Sequence, residues 1–333
     1  MSDPIRLPSA LIVIPCLNEA EHIGALLDQL VAVVRRLDAT IVVADGGSTD
    51  GSQEIVEKYA ARDRRVILLH NTRRLQGAGL NLAVREYGDG FTYVIRIDAH
   101  GRYPENYCDR LLEDAVRTDA DSVVVSMETS GSGILQAAVA AAQNSRLGTG
   151  GSRHRHASAG EWIDHGHHAL MRIFAFRAVG GYDETFQHNE DADLDHRLLQ
   201  AGYRIWLSGR TRMTYFPRSS LGALYRQYLG YGRGRARNLL KHRIVPKLRQ
   251  TIPLFVLPAV VLAVFALVHW PALIPMVVWV STCLSVGAWI AVRQRKPELI
   301  LAGVSALVMH FAWSLGFWMQ LAAYGQMRRE VAP

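Results

Sequence analysis

Apolar and polar positions alternate in regular blocks along the first third of the chain. Short apolar runs predict buried strands at residues 10–14, 40–44, 66–69 and 93–97. Apolar residues repeat at helical spacing between the first two runs, from Ile23 to Val34, and a further helix is predicted at 77–87. Strands that alternate with helices need crossover connections. The pattern therefore predicts an α/β fold: a mostly parallel sheet with helices on both faces.

The pattern is less regular in the middle of the chain. A strand is predicted at 122–127, followed by a helix that runs to about residue 147. Residues 148–160 are rich in Gly, Ser and His and predict a mobile loop. Partial alternation at 162–176 favours strand, and 189–200 predicts a helix with an acidic first turn, stopped by Gly202.

The last quarter of the chain is almost continuously apolar. Candidate membrane spans cover residues 252–268, 271–292 and 298–324. A bilayer core needs about 20 mostly apolar residues per helix, and the stretch also carries five tryptophans, which are typical of membrane interfaces. The alternative is a helical hairpin buried in a soluble domain. We predict an α/β domain at 1–217, a basic amphipathic interface segment at 218–250 and transmembrane helices at 251–333.

Charge is concentrated beside this apolar tail. The formal net charge is +7, and residues 218–250 hold nine Lys or Arg and no Asp or Glu. Nucleic acid, an anionic membrane surface or a diphosphate ligand would each suit such a run. Its position before the tail favours the membrane, and we expect no nucleic-acid partner. Three scattered cysteines and a polar start without a signal peptide predict a cytoplasmic location for the α/β domain.

Two aspartates follow predicted strands directly. Asp45 and Asp98 should both lie at the carboxyl edge of the sheet, where such sheets bind ligands. Asp45 is suited to hydrogen-bond a nucleotide base or ribose, although it could instead cap the turn that follows. Ser48 and Asp50 are interpreted as turn and capping residues only.

Several motifs together resemble a known family. They are, in order, Pro15-Cys16-Leu17-Asn18-Glu19, Ala44 to Gly51, Gln76 to Asn81, Arg96-Ile97-Asp98-Ala99-His100 and Asn189-Glu190-Asp191. This series resembles the family-2 glycosyltransferases with the GT-A fold, over residues 10–245. Asp98-Ala99-His100, Asp164 to His168 and Gly180 to Glu184 resemble the subgroup that builds succinoglycan-type exopolysaccharide.

The resemblance implies a donor site for a nucleotide sugar. It assigns nucleotide recognition to Asp45 and Asp98, with Pro15, Asn18 and Glu19 lining the same pocket. The segment from Arg73 to Asn81, with Arg73, Gly77 and Gly79, would cradle the donor diphosphate at a helix N-terminus. A glycine pair that only permits a turn is the alternative for that segment.

Asp98 and His100 stand where the family carries its Asp-x-Asp metal motif. The resemblance implies a divalent cation there, Mn²⁺ or Mg²⁺, bridging the donor diphosphate. Histidine in place of the second aspartate favours Mn²⁺. A surface histidine in a strand-end turn is the alternative for His100.

The family's catalytic base is the Asp of a Glu-Asp pair, and only Glu190-Asp191 fits. The resemblance implies that Asp191 takes the proton of the acceptor hydroxyl, with Glu190 in support. The alternative is an acidic first turn that merely stabilises a helix N-terminus. Asp193 and Asp195 are expected on a solvated helix face.

Histidines crowd the segment between the two acidic motifs: His154, His156, His165, His167 and His168. The resemblance favours acceptor binding for the last three over a solvated loop or a zinc site. Gln227 begins a segment where processive members carry Gln-x-x-Arg-Trp, but Gly230-Tyr231 replaces the Arg-Trp pair, which favours addition of a single sugar. Arg233 and Arg235 are predicted to contact a substrate diphosphate or anionic lipid.

These observations predict a multi-pass enzyme of the inner membrane with a cytoplasmic catalytic domain. The resemblance implies that it transfers a hexose with inversion to a polyprenyl-diphosphate-linked sugar. Glucose from UDP-glucose as the donor is implied by the subgroup resemblance alone, since these residues do not separate glucose from galactose. The alternative is a polytopic transporter or scaffold with a regulatory nucleotide-binding domain. A transporter would favour intramembrane charge, but the predicted spans contain no Lys, Arg or Asp. His269 lies between the first two spans, His310 lies within the third, and Glu298 is the first residue of the third.

Overall fold

A computed structural model describes residues 7–150, 159–246 and 248–331. The chain divides into two compact units. The first comprises Met1–Met127, His156–Thr185 and Glu190–Tyr215, and the second comprises Glu128–Arg155, Phe186–Asn189 and Phe216–Pro333.

The first unit begins with the predicted alternation of strands and helices. In chain order its elements are β1 (Ala10–Cys16), α1 (Ala20–Arg36), β2 (Ala39–Asp45), α2 (Ser52–Ala60), β3 (Val66–His70), α3 (Gln76–Tyr87), β4 (Tyr93–Arg96) and α4 (Tyr107–Thr118). Strand β1 pairs in parallel with both β2 and β4, and β2 pairs in parallel with β3. The four strands predicted from apolar runs are therefore all present.

Antiparallel strands complete the sheet. The remaining strands of the unit are β5 (Ser122–Thr129), β6 (Glu161–Trp162), β7 (His167–Arg172) and β8 (Ile205–Tyr215). Strand β7 runs antiparallel to both β4 and β5, and β6 runs antiparallel to β8. The sheet order is β3-β2-β1-β4-β7-β5-β8-β6. The helices α7 (Ile173–Ala178) and α8 (Glu190–Gln200) also belong to this unit.

Both faces of the sheet are covered, because side chains of the parallel strands alternate between two cores. Ile12 of β1 packs on one side with α1 and α4. Leu11 and Val13 pack on the other side with α3, α7 and α8. Every residue of β1 is buried, as expected of a strand between two helical layers.

The parallel strands bring the predicted donor-side residues to one edge. Asp45 ends β2, Asp98 follows the end of β4, and β1 lies between these two strands. Asn18 and Glu19 follow the end of β1. The carboxyl edge predicted from the strand order therefore collects these side chains.

The second unit is helical in its described part. It contains α5 (Ile134–Asn144), α6 (Arg146–Thr149), α9 (Leu221–His242), α10 (Leu248–Leu254), α11 (Val256–Ala263), α12 (Ile274–Gln294) and α13 (Leu301–Val331). Short 3₁₀ helices cover Val264–Leu267, Trp270–Leu273 and Pro297–Ile300. Three helical segments are long and apolar enough to cross a membrane, at Gln250–Leu267, Trp270–Gln294 and Pro297–Gln326.

Glycines allow the helices of the second unit to approach closely. A Cβ on Gly232 of α9 would lie 2.0 Å from the carbonyl oxygen of Trp313, and one on Gly316 of α13 would lie 2.1 Å from that of Leu229. Gly287 of α12 meets α13 in the same way. Residues without a side chain let helix backbones approach this closely.

One prediction about local structure is wrong, and another falls largely outside the described residues. The expected solvated face at Asp193 and Asp195 is wrong, because both side chains are buried. Asp193 pairs with Arg197, and Asp195 pairs with two histidines, so partners rather than solvent compensate their charges. The predicted loop at 148–160 lies largely outside the described residues, and so do His154 and His156.

Candidate active site

The turn after β2 is built around Asp45. Its Oδ1 accepts hydrogen bonds from the backbone N–H groups of Gly47 and Ser48, at 2.8 and 2.9 Å, and from the side chain of Gln53 at 2.7 Å. The Ser48 hydroxyl donates to Oδ2. These hydrogen bonds fix the shape of the turn around the buried Asp45 side chain. Its predicted role in nucleotide recognition stays a prediction.

The loop after β1 is tied to the same turn. Ser48 accepts a hydrogen bond from the N–H of Asn18, and the Asn18 side chain accepts one from the N–H of Thr49. Asn18 adopts a left-handed conformation, with φ of 56°. Pro15 is a buried residue within β1. Hydrogen bonds therefore connect the two loops that follow β1 and β2.

Glu19 contacts His100 of the predicted metal motif. Its Oε1 lies 2.8 Å from Nδ1 of His100. Because Nδ1 is engaged with Glu19, His100 would bind a metal ion through Nε2. The contact joins the loop after β1 to the loop after β4 at the carboxyl edge.

Arg96, the last residue of β4, is the centre of a charged cluster that it forms with Asp98 and Asp191. Its guanidinium is buried and donates to Oδ1 of Asp98 and to Oδ1 of Asp191, each at 3.0 Å. Burial raises the pKa of Asp98, but Arg96 together with His167 and His100 outweighs it, and that pKa is about 2. Arg96 acts in the same direction on Asp191, whose pKa is lowered despite its burial. Both carboxylates are therefore ionised at neutral pH.

Asp191 lies in the first turn of α8, with Glu190 before it. The helix N-terminus stabilises negative charge there. Burial raises the pKa of Glu190 to about 7, and the neighbouring Asp191 carboxylate acts in the same direction. Near neutral pH Glu190 is partly protonated while Asp191 is charged. Asp191 is thus the member of the pair that is ionised near neutral pH.

The three predicted acceptor-side histidines lie in different surroundings. His167 sits between the two carboxylates, with Nε2 3.7 Å from Asp98 and Nδ1 3.9 Å from Asp191. Burial lowers its pKa, so the ring is neutral. His168 is fully buried and lies 2.9 Å from Asp195, which also contacts His165 at 2.6 Å. Of the three, His167 is the one that faces the charged cluster.

Arg73 and Gly77 flank the start of α3. The Arg73 side chain is exposed and pairs with Glu184 at 3.1 Å. Gly77 is buried, and a Cβ there would lie 2.9 Å from Cβ of Tyr182. This contact explains why a glycine stands at position 77. A diphosphate-binding role for the segment stays a prediction.

Gln227, Arg233 and Arg235 lie on α9 in the second unit. The Gln227 side chain donates to the hydroxyl of Tyr231 at 2.9 Å, and Arg233 is exposed. Their predicted contacts with a diphosphate or lipid stay predictions.

Sequence reasoning missed the two residues that contact Asp191 most closely. Arg96 and Tyr182 both donate to its Oδ1 at 3.0 Å. A signal for Arg96 was present, because a charged residue inside an otherwise apolar buried strand needs an ionic partner. The strand-end aspartates were the candidates for that partner.

Comparison with known proteins identifies the class. The family model described as glycosyl transferase family 2 matches residues 11–180. The chain belongs to glycosyltransferase family 2 and is a transferase. It is 56% identical over 331 residues to the succinoglycan biosynthesis protein ExoA of Rhizobium meliloti (strain 1021), covering 99% of both chains.

The chain also resembles a more distant relative over part of its length and, in its fold, a solved structure. The undecaprenyl-phosphate mannosyltransferase of Micrococcus luteus is 34% identical over 123 residues, which is 36% of this chain and 49% of that one. The mannosyltransferase PcManGT from Pyrobaculum calidifontis, solved with GDP-Man and Mn²⁺, matches with a TM-score of 0.60 at 20% identity, covering 96% of this chain and 88% of its own. The predicted family and GT-A fold are confirmed.

Proposed function

We propose that this chain transfers a hexose, glucose from UDP-glucose, with inversion to a polyprenyl-diphosphate-linked sugar during assembly of a succinoglycan-type repeat unit. The near full-length similarity to the succinoglycan protein supports the pathway class. The observation that carries the chemistry is the buried Asp98–Arg96–Asp191 cluster at the carboxyl edge. It puts a charged carboxylate beside the predicted donor side.

The reaction is a single displacement at the anomeric carbon. The acceptor hydroxyl forms a bond to that carbon while the bond from the carbon to the donor phosphate oxygen breaks. The hydroxyl proton passes to Asp191, and the electron pair leaves with UDP. Attack from the face opposite the leaving group inverts the configuration. General-base assistance of this kind contributes about 10²–10⁴-fold to rate.

Asp98 and His100 would hold the divalent cation. Among the residues that the structure describes, no group of three or more His, Cys, Asp or Glu side chains is arranged to hold a metal. One carboxylate and one imidazole still fit a cation that takes its remaining ligands from substrate phosphates and water, as Mg²⁺ and Mn²⁺ do. When bound, the cation neutralises charge on the departing diphosphate.

The chain would reach its lipid-linked acceptor at the membrane. We propose a catalytic domain at 1–217, a basic interface segment at 218–250 and membrane-spanning helices at 251–333, with the catalytic domain in the cytoplasm. Side chains such as Leu267, Val268 and Trp270 are apolar and largely exposed, as expected of a surface that faces lipid. His165, His167 and His168 are proposed to form the acceptor side, and Gln227, Arg233 and Arg235 to bind the diphosphate of the lipid.

The test is a transfer assay with the full chain in detergent or nanodiscs. UDP release should occur with UDP-glucose and a polyprenyl-diphosphate-linked sugar together, and be far slower with either alone. UDP-galactose and GDP-mannose are the donor controls. Transfer with another donor would correct the sugar but keep the class, whereas no release with any donor and acceptor would overturn the proposal. Arg233→Gln with Arg235→Gln should impair the lipid-linked acceptor more than a short soluble analogue.

A further inference from the structure

Arg96 connects three separate elements through one side chain. Besides its bonds to Asp98 and Asp191, its Nη2 donates to Oε1 of Gln76 at 3.0 Å. Gln76 begins α3, Asp191 lies in the first turn of α8, and Asp98 follows β4. A guanidinium presents its donors in a rigid planar fork. The spacing of these three partners is therefore set by the shape of a single group.

Tyr182 supplies a second donor to the same oxygen of Asp191. Its hydroxyl donates to Oδ1 at 3.0 Å. The backbone of Tyr182 is itself fixed by Asn81, whose Oδ1 accepts from the Tyr182 N–H and whose Nδ2 donates to the Tyr182 carbonyl, both at 2.8 Å. Gly181 before it has φ of +66°. The turn at Gly181 and the two hydrogen bonds from Asn81 therefore hold the Tyr182 hydroxyl in contact with Asp191.

Both donors engage Oδ1, and this leaves the two oxygens of Asp191 in different surroundings. The basic side chain found near Oδ2 is His167, whose Nδ1 lies 3.9 Å away and thus beyond hydrogen-bond distance. A carboxylate held through one oxygen keeps the lone pairs of the other for a new partner.

We propose that Arg96 and Tyr182 are positioning residues that hold the Asp191 carboxylate through Oδ1, so that Oδ2 takes the proton of the acceptor hydroxyl. This inference rests on the proposed function. Tyr182, within the segment Gly180 to Glu184, and Arg96, which precedes the metal motif, then have the same role: both hold Asp191. The same arginine fork links the base to Asp98, so the base and the donor side share one rigid support.

A double-mutant cycle tests the proposal in the full chain. Tyr182→Phe should lower kcat about 10–100-fold, the range of a hydrogen bond to a charged group, with the donor KM within about three-fold of wild type. Arg96→Lys keeps the charge but loses the fork, and should lower kcat at least as much. In an Asp191→Asn background, Tyr182→Phe should cost less than about three-fold more, because the group that it orients is already disabled.

Matched controls separate positioning from folding. Tyr59 donates to Asp28 at 2.6 Å, and Arg65 pairs with Asp63 at 2.7 Å, both away from the cluster. Tyr59→Phe and Arg65→Lys should keep kcat near wild type. If Arg96→Lys does not fold, Tyr182→Phe carries the test. The inference is overturned if Tyr182→Phe keeps more than half of kcat, or if its loss is undiminished beside Asp191→Asn. Failure of the proposed function is distinct, because wild type would then release no UDP.

Discussion

At the residue scale, the charges of Arg96, Asp98 and Asp191 dominate the candidate site. One buried cation faces the buried carboxylate of Asp98 and the half-buried carboxylate of Asp191, so the three groups carry a net negative charge. A buried charge without a partner is costly, so each member depends on the others. A divalent cation bound at Asp98 would balance the remaining charge. The remaining negative charge therefore supports the proposed cation site at Asp98.

Asp191→Asn should leave UDP binding within about three-fold of wild type and lower kcat by about 10²–10⁴-fold, because asparagine cannot accept the proton. Steady-state kinetics of UDP release and titration with UDP measure the two effects. Asp89→Asn is the control, since Asp89 is exposed and forms only a surface pair with Arg177. A variant with more than half of wild-type turnover would show that Asp191 is not the base.

Removal of the metal should abolish transfer. We expect activity to vanish in excess chelator and to return better with Mn²⁺ than with Mg²⁺, because histidine is a more natural ligand for Mn²⁺. His100→Asp should shift the preference toward Mg²⁺. His22→Asp, at an exposed histidine of α1, is the control and should leave the preference unchanged. Full transfer in chelator would rule out a metal requirement.

The sequence identified the charged residues of the site better than their partners. Asp98, Asp191 and His167 were all singled out, because acidic and histidine residues at strand and helix ends are recognisable. The fully buried positions of Asp195 and His168 were not foreseen. Nothing local distinguishes a buried aspartate in the first turns of a helix from a solvated one. The difference arises from His165 and His168, which lie some 30 residues earlier in the chain.

At the element scale, the junction of β7 with α8 depends on a buried ion pair. Burial lowers the pKa of His168, but the Asp195 carboxylate outweighs it and the pKa is raised above 6.5. The folded state therefore binds this proton more tightly than the unfolded state. The resulting stability is fully present below about pH 6.5 and is lost as pH rises through the folded pKa.

The Tm of the full chain in detergent should consequently fall as pH rises above about 6.5. His168→Gln should remove this part of the slope and destabilise the protein at pH 6, on the order of 3 kcal/mol for a broken buried pair. His22→Gln should preserve the wild-type profile. An unchanged slope in His168→Gln would show that other groups cause the pH dependence.

The crossing of α9 and α13 offers two glycines with opposite expectations. Gly232→Ala would place a Cβ 2.0 Å from a carbonyl oxygen of α13, whereas at Gly222 in the same helix the nearest atom is the end of the Arg226 side chain at 3.7 Å. Gly222→Ala should stabilise by about 1 kcal/mol through helix propensity. Gly232→Ala should lower the Tm, because the helices must separate. Thermal unfolding in detergent measures both, and equal shifts would contradict this helix packing.

The elements that the sequence predicted well are those with simple periodicity. Strands β1 to β4 and helix α3 follow from apolar runs and turn residues, and their bounds agree within about two residues. Strand β8 was missed because Arg210 and Arg212 interrupt its apolar pattern. Its place in the sheet comes from pairing with strands that are distant in the chain. Such pairing has no local signature.

At the scale of the whole molecule, topology and charge make different demands. In the proposed topology, three spans that follow a cytoplasmic catalytic domain would return the Arg293 to Lys296 loop to the cytoplasm, where basic residues are favoured. They would also carry Arg328 and Arg329 to the far side, against that preference. The length and apolar composition of residues 297–326 favour a full span over a surface helix. The two constraints can be separated by labelling.

Single cysteines should report the topology directly. The three native cysteines are buried, so their background labelling is expected to be low. Val268 and Arg295 are both exposed and lie in the two connections between the spans. Val268→Cys should react with an impermeant maleimide in intact spheroplasts, and Arg295→Cys only in inverted vesicles. A cysteine at Pro333 should then behave like Val268→Cys. If it instead labels only in inverted vesicles, the last segment does not cross, and the positive-inside preference outweighs hydrophobic length at the end of this chain.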